Sequence, residues 1–243
     1  MASGGTYTIK LALMLLIFCG IDGCGKNENY KIKFAANIAG DSREVSVAEF
    51  RLFIEETGYK TTADSFGWSG YFDTTKGAWG IARGANWRRI DGVNMNPQNW
   101  PVTQVSYYDA CAYCAWKNGR LPTASEWDAM ASKLKGTGNI WQGTFPIKNK
   151  EVDGYSALAP VGSFLSNKEG FYDLAGNVWE WTSSIAPQPQ IKLEEVDGAH
   201  RIIKGGSYLC IENGCEGYKP EAFQHTAANS GTNHLGFRCV YDL

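Results

Sequence analysis

The amino-acid sequence predicts an α+β domain with few helices, short strands and much irregular backbone. Composition is the first reason: among 243 residues there are 28 Gly, 9 Trp and 12 Tyr. Glycine permits tight bends, and large aromatic side chains fill the gaps that such bends leave. The second reason is that only three segments carry helix start signals, and all are short. The third is that the chain beyond Lys135 reads as turns and brief strand-like runs, such as Arg201-Ile202-Ile203-Lys204. A chain of this length fits one large domain around one core.

From the N-terminus, Lys10 precedes the apolar run Leu11 to Gly20, which has signal-peptide length and is too short to span a bilayer. Ile21-Asp22-Gly23-Cys24 follows and reads as a lipoprotein cleavage box, so residues 1–24 are expected to be an export leader, with Cys24 lipidated. Residues 25–40 are polar and mixed and read as a tether, which puts the folded domain at 41–243. The protein is therefore expected outside the cytoplasm, in the periplasm, held on a bacterial membrane by its lipid.

The first helix is expected over Val47 to Thr57. Ser46 and Glu49 form a capping box, Phe50, Phe53 and Ile54 share a face, and Gly58 ends the helix. Phe66 to Trp100 is rich in aromatics and glycine and has no helical period. Ser106 caps a second helix, Tyr107 to Lys117, closed by Gly119, with small residues Ala110, Cys111, Cys114 and Ala115 on one face. Thr123 and Glu126 cap a third, Ala124 to Lys133.

Charge narrows the function classes. The 23 basic and 25 acidic residues nearly cancel, so no long-range field draws in nucleic acid, and nucleic-acid binding is excluded as an expectation. With Cys19 in the leader and Cys24 used for lipid, five cysteines remain in the domain: Cys111, Cys114, Cys210, Cys215 and Cys239. An odd number leaves at least one thiol free. Cys111, one helical turn before Cys114, reads as a small buried thiol. Cys210 and Cys215 are five apart on a loop, and two readings stay open for them. Two thiolates at that spacing can converge on a soft ion such as Cu(I); the same pair can form a local disulfide in an oxidising compartment.

Six ordered blocks are specific enough to name a family. They are Pro101 to Ser106 with Asp109-Ala110 and Ala112 to Trp116; Arg120 to Thr123 with Glu126-Trp127; Asn139 to Gly143 with Phe145-Pro146; Gly176 to Trp181; Gly205 to Tyr208; and Leu235 to Cys239. This series resembles the sulfatase-modifying factor domain of formylglycine-generating enzymes over about 200 residues. The resemblance implies a variant of the C-type-lectin-like fold. It also implies Cu(I) on Cys210 and Cys215, an oxygen and substrate pocket lined by Ser207 and Trp179, and conversion of a cysteine in a partner protein to formylglycine. It pairs Cys114 with Cys239 as a disulfide.

The resemblance further implies structural calcium. One ion would take Asn139, Ile140, Asp153 and Tyr155, and a second Asp173, Gly176, Val178 and Glu180. Both sets offer only oxygen, as a hard cation requires. Asp153 and Glu180 read alternatively as turn caps. The alternation Gly-x-Val-x-Glu favours ligation, because alternate residues of an extended segment point one way.

Around the cysteine pair the chain departs from the family, with Glu212, Glu216 and Glu221 where cations and aromatics are usual. Such a change alters the peptide a groove selects. Two functions are therefore expected in parallel. One is a copper-dependent oxidase acting on a cysteine-containing protein; the other is a non-catalytic periplasmic immunity protein that binds and neutralises a type VI secretion toxin.

Overall fold

The structure is a computed structural model that describes residues 29–132, 134, 138–187, 200–212 and 214–243. The expected leader and Cys24 lie outside the described residues. So do the first residues of the expected tether, but its remainder is a correction to the sequence reading. Lys31–Ala35 (β1) and Ile38–Asp41 (β2) form an antiparallel hairpin. β2 also pairs with the C-terminal strand Val240–Asp242 (β11), so these residues belong to the domain. The segment is polar because β1 is only half covered; the side chains it does offer, Ile32 and Phe34, pack on the core beside Phe171.

Helix α1 occupies Val47–Thr57 with both halves of the Ser46/Glu49 capping box made, and Gly58 ends it at φ 66°. A five-residue helix, Thr62–Phe66 (α2), leads into the hairpin of Trp68–Asp73 (β3) and Ala78–Arg83 (β4). Helix α3 spans Tyr107–Trp116, capped by Ser106. The left-handed residue that closes α3 is Asn118, at φ 57°, rather than Gly119. Gly119 is needed for a different reason: a Cβ there would sit 2.7 Å from the Val240 carbonyl oxygen. Helix α4, Ala124–Met130, is shorter than expected and ends at Ala131; Lys133 lies outside the described residues.

The rest is short strands: Gly143–Thr144 (β5), Lys148–Asn149 (β6), Trp179–Ile185 (β7), His200–Lys204 (β8), Gln224–Ala227 (β9) and Leu235–Gly236 (β10). Their central sheet runs β10-β7-β8-β9, with β10 parallel to β7 and the other pairs antiparallel. The largest core cluster joins Phe50 and Phe53 of α1 to Tyr113 of α3, Trp181 of β7 and Phe237. Phe50 and Tyr113 stack at 5.6 Å between centroids. A disulfide between Cys114 and Cys239 ties α3 to the end of the chain across 125 residues. Closing so long a loop restricts the unfolded chain strongly. Cys111, expected to be buried, is half-exposed on α3 and is a free thiol.

Candidate functional site

Strand β7 organises the chemistry because its neighbours Trp179 and Glu180 face opposite sides, as strand geometry requires. On the Trp179 side lies a cavity of about 210 Å³ lined by Trp179, Ser207, Cys210 and Cys215, with Phe72, Trp79, Phe145, Leu209, Gln224 and His234 completing the wall. All four residues expected in the oxidase pocket are thus brought together.

The loop that holds the two cysteines is moulded by glycine. Gly206 is left-handed at φ 73°, and a Cβ on it would lie 2.5 Å from the Tyr218 nitrogen, so the returning chain can close only over glycine. Gly217 lies against Trp179, where a Cβ would come within 2.2 Å of the indole. The Cys210 amide donates to the Ser207 carbonyl at 2.9 Å, and the Ser207 amide approaches Cys210 Sγ at 3.4 Å. Trp141 donates its amide to the Cys210 carbonyl at 2.8 Å, fixing the loop to the neighbouring segment.

The thiols of Cys210 and Cys215 are unbonded, with their sulfurs 3.1 Å apart. Cys210 is buried and Cys215 half-exposed. The Cys210 S–H donates to Cys215, which lowers the Cys215 pKa to about 6; burial opposes this, and the Gly217 amide and the Gln224 side chain assist it. The same hydrogen bond, together with burial, pushes Cys210 far up. The shared hydrogen bond favours one thiol and one thiolate in the pair, and thiolate is the form that attacks electrophiles and binds soft metals. Gln224 contributes from β9, with Nε2 3.5 Å from Cys215 Sγ. His234 is held neutral, its pKa pushed down to about 3 by burial. Its Nδ1 lies 2.8 Å from the Thr232 hydroxyl, and Trp79 packs on its ring at 4.9 Å.

On the Glu180 side, the carboxylate accepts from Arg238 Nε at 2.7 Å, from Nη2 at 2.6 Å and from Trp127 Nε1 at 2.7 Å. Arg238 and Glu180 are both fully buried. Glu180 is therefore the anion of a buried ion pair, and only part of its oxygen capacity remains for a cation. Asp173 accepts the Gly162 and Phe164 amides, and burial raises its pKa to about 6. Glu44 stands in the same interior, its Oε2 accepting from Asn177 at 2.7 Å and its Oε1 from the Val178 amide at 3.3 Å. Burial and the charges of Asp173 and Glu180 raise its pKa. Glu180 is already bonded to Arg238 and Trp127, so a cation in the second calcium set would rest mainly on Asp173 and on the Gly176 and Val178 carbonyl oxygens.

The first set fits on different grounds. Asp153 Oδ1 accepts from the Tyr155 amide at 3.0 Å, as a turn cap does, but Oδ2 is buried with no hydrogen-bond partner among the described residues. Asn139 spends its amide hydrogens on the Ala157 carbonyl and Asn177 Oδ1. Among the described residues no three His, Cys, Asp or Glu side chains converge, so a cation held by Asn139, Ile140, Asp153 and Tyr155 would rest largely on carbonyl oxygens.

Sequence reading missed Glu44, Gln224, Trp79 and His234. Arg238 lies in the Leu235 to Cys239 block, where the sequence alone gives it no role. Glu44 offered one signal, an acid directly before an apolar residue and a capping box. Gln224 offered none, since its importance comes only from strand β9 passing Cys215.

Comparison with known proteins finds relatives over most of the chain. The chain is 36% identical over 83% of its length to the formylglycine-generating enzyme of Mus musculus, and it spans 65% of that protein. It is 36% identical over 83% of its length to the enzyme of that name from Streptomyces coelicolor, 77% of which is covered. It is also 32% identical, over 91% of its length and 81% of the relative, to a Bos taurus protein named inactive C-alpha-formylglycine-generating enzyme 2. Among solved structures, PvdO from Pseudomonas aeruginosa matches with a TM-score of 0.60 at 20% identity, covering 85% of this chain and 80% of that one; this shows the fold alone. The model of the sulfatase-modifying factor enzyme 1-like domain matches residues 23–243, and the chain belongs to that family.

Proposed function

We propose that this protein oxidises a cysteine side chain of a partner polypeptide to formylglycine, using copper held by Cys210 and Cys215. The observation that carries the reading is the pair of unbonded thiols, 3.1 Å apart, in a cavity also lined by Ser207 and Trp179. Copper bound there would supply a docking point for the substrate thiol and the activation of dioxygen. The chain's own residues do the rest. Cys215 is the sulfur already deprotonated near neutral pH, and Cys210 carries the proton that must leave when both ligate. Trp179, Phe72 and Phe145 keep the cavity apolar, and neutral His234 adds no charge to it.

A polypeptide partner is supported by the rim. Strand β4 pairs only with β3, so its outer edge is open among the described residues, and Trp79 and Ile81 on it are 55% and 59% exposed. An exposed apolar edge beside a reaction cavity suits an extended peptide, which can add to it as a strand. The leader reading puts this chemistry on a membrane surface outside the cytoplasm. Cys24→Ser is expected to release the protein from the membrane fraction.

The test is to load purified protein with Cu(I) and offer a cysteine peptide in air with an external thiol reductant. Mass spectrometry then reads conversion of the thiol to the aldehyde. Turnover that Cys210→Ala abolishes supports the proposal; no turnover by the copper-loaded protein overturns it. A second reading, a binding protein that neutralises a secreted toxin without chemistry, draws on the exposed acids Glu212 and Glu221 beside the thiol loop and on the relative named inactive. It predicts stoichiometric capture of a partner from the periplasm, undiminished in Cys210→Ala.

A further inference from the structure

Outside the thiol cavity, two histidines meet on the outer strands of the central sheet. His200 begins β8 and His225 lies on β9; the register opposes His200 to Ala227 and Ile202 to His225. The two histidines are therefore diagonal neighbours on one face of the sheet, within reach of each other's side chains. Their Nδ1 atoms are 2.9 Å apart, with ring centroids at 5.1 Å, on the protein surface.

We propose that His200 and His225 form a surface site for a borderline divalent transition ion of the Zn(II), Ni(II) or Cu(II) class. Imidazole is the side chain such ions favour. Two nitrogens bound to one metal at about 2.0–2.1 Å lie about 2.9 Å apart at the right angle of Cu(II) or Ni(II) coordination and about 3.3 Å apart at the tetrahedral angle of Zn(II); the 2.9 Å found matches the first and reaches the second by a small rotation of either exposed ring. A hydrogen bond between the rings has a requirement that a metal does not. One ring must carry its proton on Nδ1 while the other leaves Nδ1 bare, so the two residues must hold different tautomers. An ion on both Nδ1 lone pairs lets each ring keep its proton on Nε2. The exposed rings leave the remaining coordination positions to water.

The position gives the site a consequence. His225 lines a recess of about 250 Å³ with Trp79, Gln224 and His234, and those three also line the thiol cavity. Gln224, next in sequence, is the residue whose side chain reaches Cys215. An ion clipping β9 to β8 at His225 therefore holds the strand that positions Gln224. The site stands whether or not the thiol pair is catalytic.

The test titrates the full-length protein with Zn(II), following the imidazole nitrogens by NMR and thermal unfolding in parallel. The expected result is one equivalent that shifts the Nδ1 signals of both His200 and His225 and raises the melting temperature. His200→Ala and His225→Ala, each folded as judged by metal-free melts, should lose that equivalent. A Cys210→Ser/Cys215→Ser double variant should retain it. Absence of saturable binding overturns the proposal, as does binding that survives both histidine substitutions or disappears only with the cysteines.

Discussion

Trp179 and Glu180 are adjacent on one strand, yet the two sides of β7 are built on opposite principles. The Glu180 side is a saturated polar interior, with Arg238, Trp127 and Glu180 fully buried and bonded to one another. The Trp179 side is an apolar cavity lined by aromatic rings, with two sulfurs, a hydroxyl, an amide and a neutral imidazole between them and, among the described residues, no charged side chain of Asp, Glu, Lys or Arg in its wall. One side is closed by charge, and the other is kept open by glycines that let the chain pass close to an indole. The difference separates what the fold needs from what the chemistry needs, although both are written in the same Gly176 to Trp181 block.

The sharpest way to break this comparison is on the closed side. Arg238→Leu leaves the buried Glu180 carboxylate without its cation, a change expected to cost about 3–5 kcal/mol. Cys210→Ser, one strand face away, is expected to abolish copper binding while leaving the urea midpoint nearly unchanged. Urea melts of the two variants check both halves. Equal destabilisation would mean that the two faces are not separable.

Asp41 extends the closed side and gives it a pH dependence. Its carboxylate accepts from the Cys239 amide at 3.1 Å and from the Tyr241 hydroxyl at 3.0 Å, and burial raises its pKa to about 6. A carboxyl whose pKa is higher folded than unfolded binds its proton more tightly in the folded state. Its contribution to stability is therefore full at acid pH and is lost as pH rises from about 4 through about 6. The loss amounts to about 2–3 kcal/mol at 1.36 kcal/mol per pH unit. Asp41→Asn keeps a hydrogen-bonding side chain in place and should flatten that part of the stability profile. Melting temperatures of both proteins between pH 4 and pH 8 test this, and parallel curves would refute it.

Calcium offers a comparable effect. Addition at a hundredfold excess over the dissociation constant should stabilise the protein by about 2.7 kcal/mol for each site that fills, and Asp153→Asn should lose the share owed to the first set. Calorimetry with and without chelator reads it.

Helices α1, α3 and α4, the disulfide and the closeness of Cys210 to Cys215 were legible because each depends on neighbours in sequence or on an ordered motif, whereas the five-residue α2 was not. Ser46 with Glu49, Ser106 with Asp109 and Thr123 with Glu126 are local physics, and so their helices start where expected. The β1–β2 hairpin was not legible, because β1 is half covered and the second partner of β2, the strand β11, lies about 200 residues away. The role of Gly119 was misread for the same kind of reason: its constraint comes from Val240 and Tyr241, not from its own helix. Gln224 and His225 carry no pattern, since only the register of β9 against β8 turns them into neighbours of Cys215 and His200.

The open side can be sharpened by one methyl group. At Gly217 a Cβ would meet Trp179 at 2.2 Å, far inside contact distance, and would stand 3.4 Å from Cys210 Sγ. An indole buried in the largest core cluster cannot retreat by that amount, so Gly217→Ala must move the loop instead. Overpacking of this kind costs about 1–3 kcal/mol, less than losing Arg238. The local consequence is larger than the global one, because the Gly217 amide is one of the groups that hold Cys215 as a thiolate. Moving the loop raises the Cys215 pKa toward its ordinary value. Alkylation by iodoacetamide, measured against pH in metal-free protein, should turn on near pH 6 in the native chain and at distinctly higher pH in Gly217→Ala. An unchanged profile would show that the thiolate owes nothing to this approach of backbone and indole.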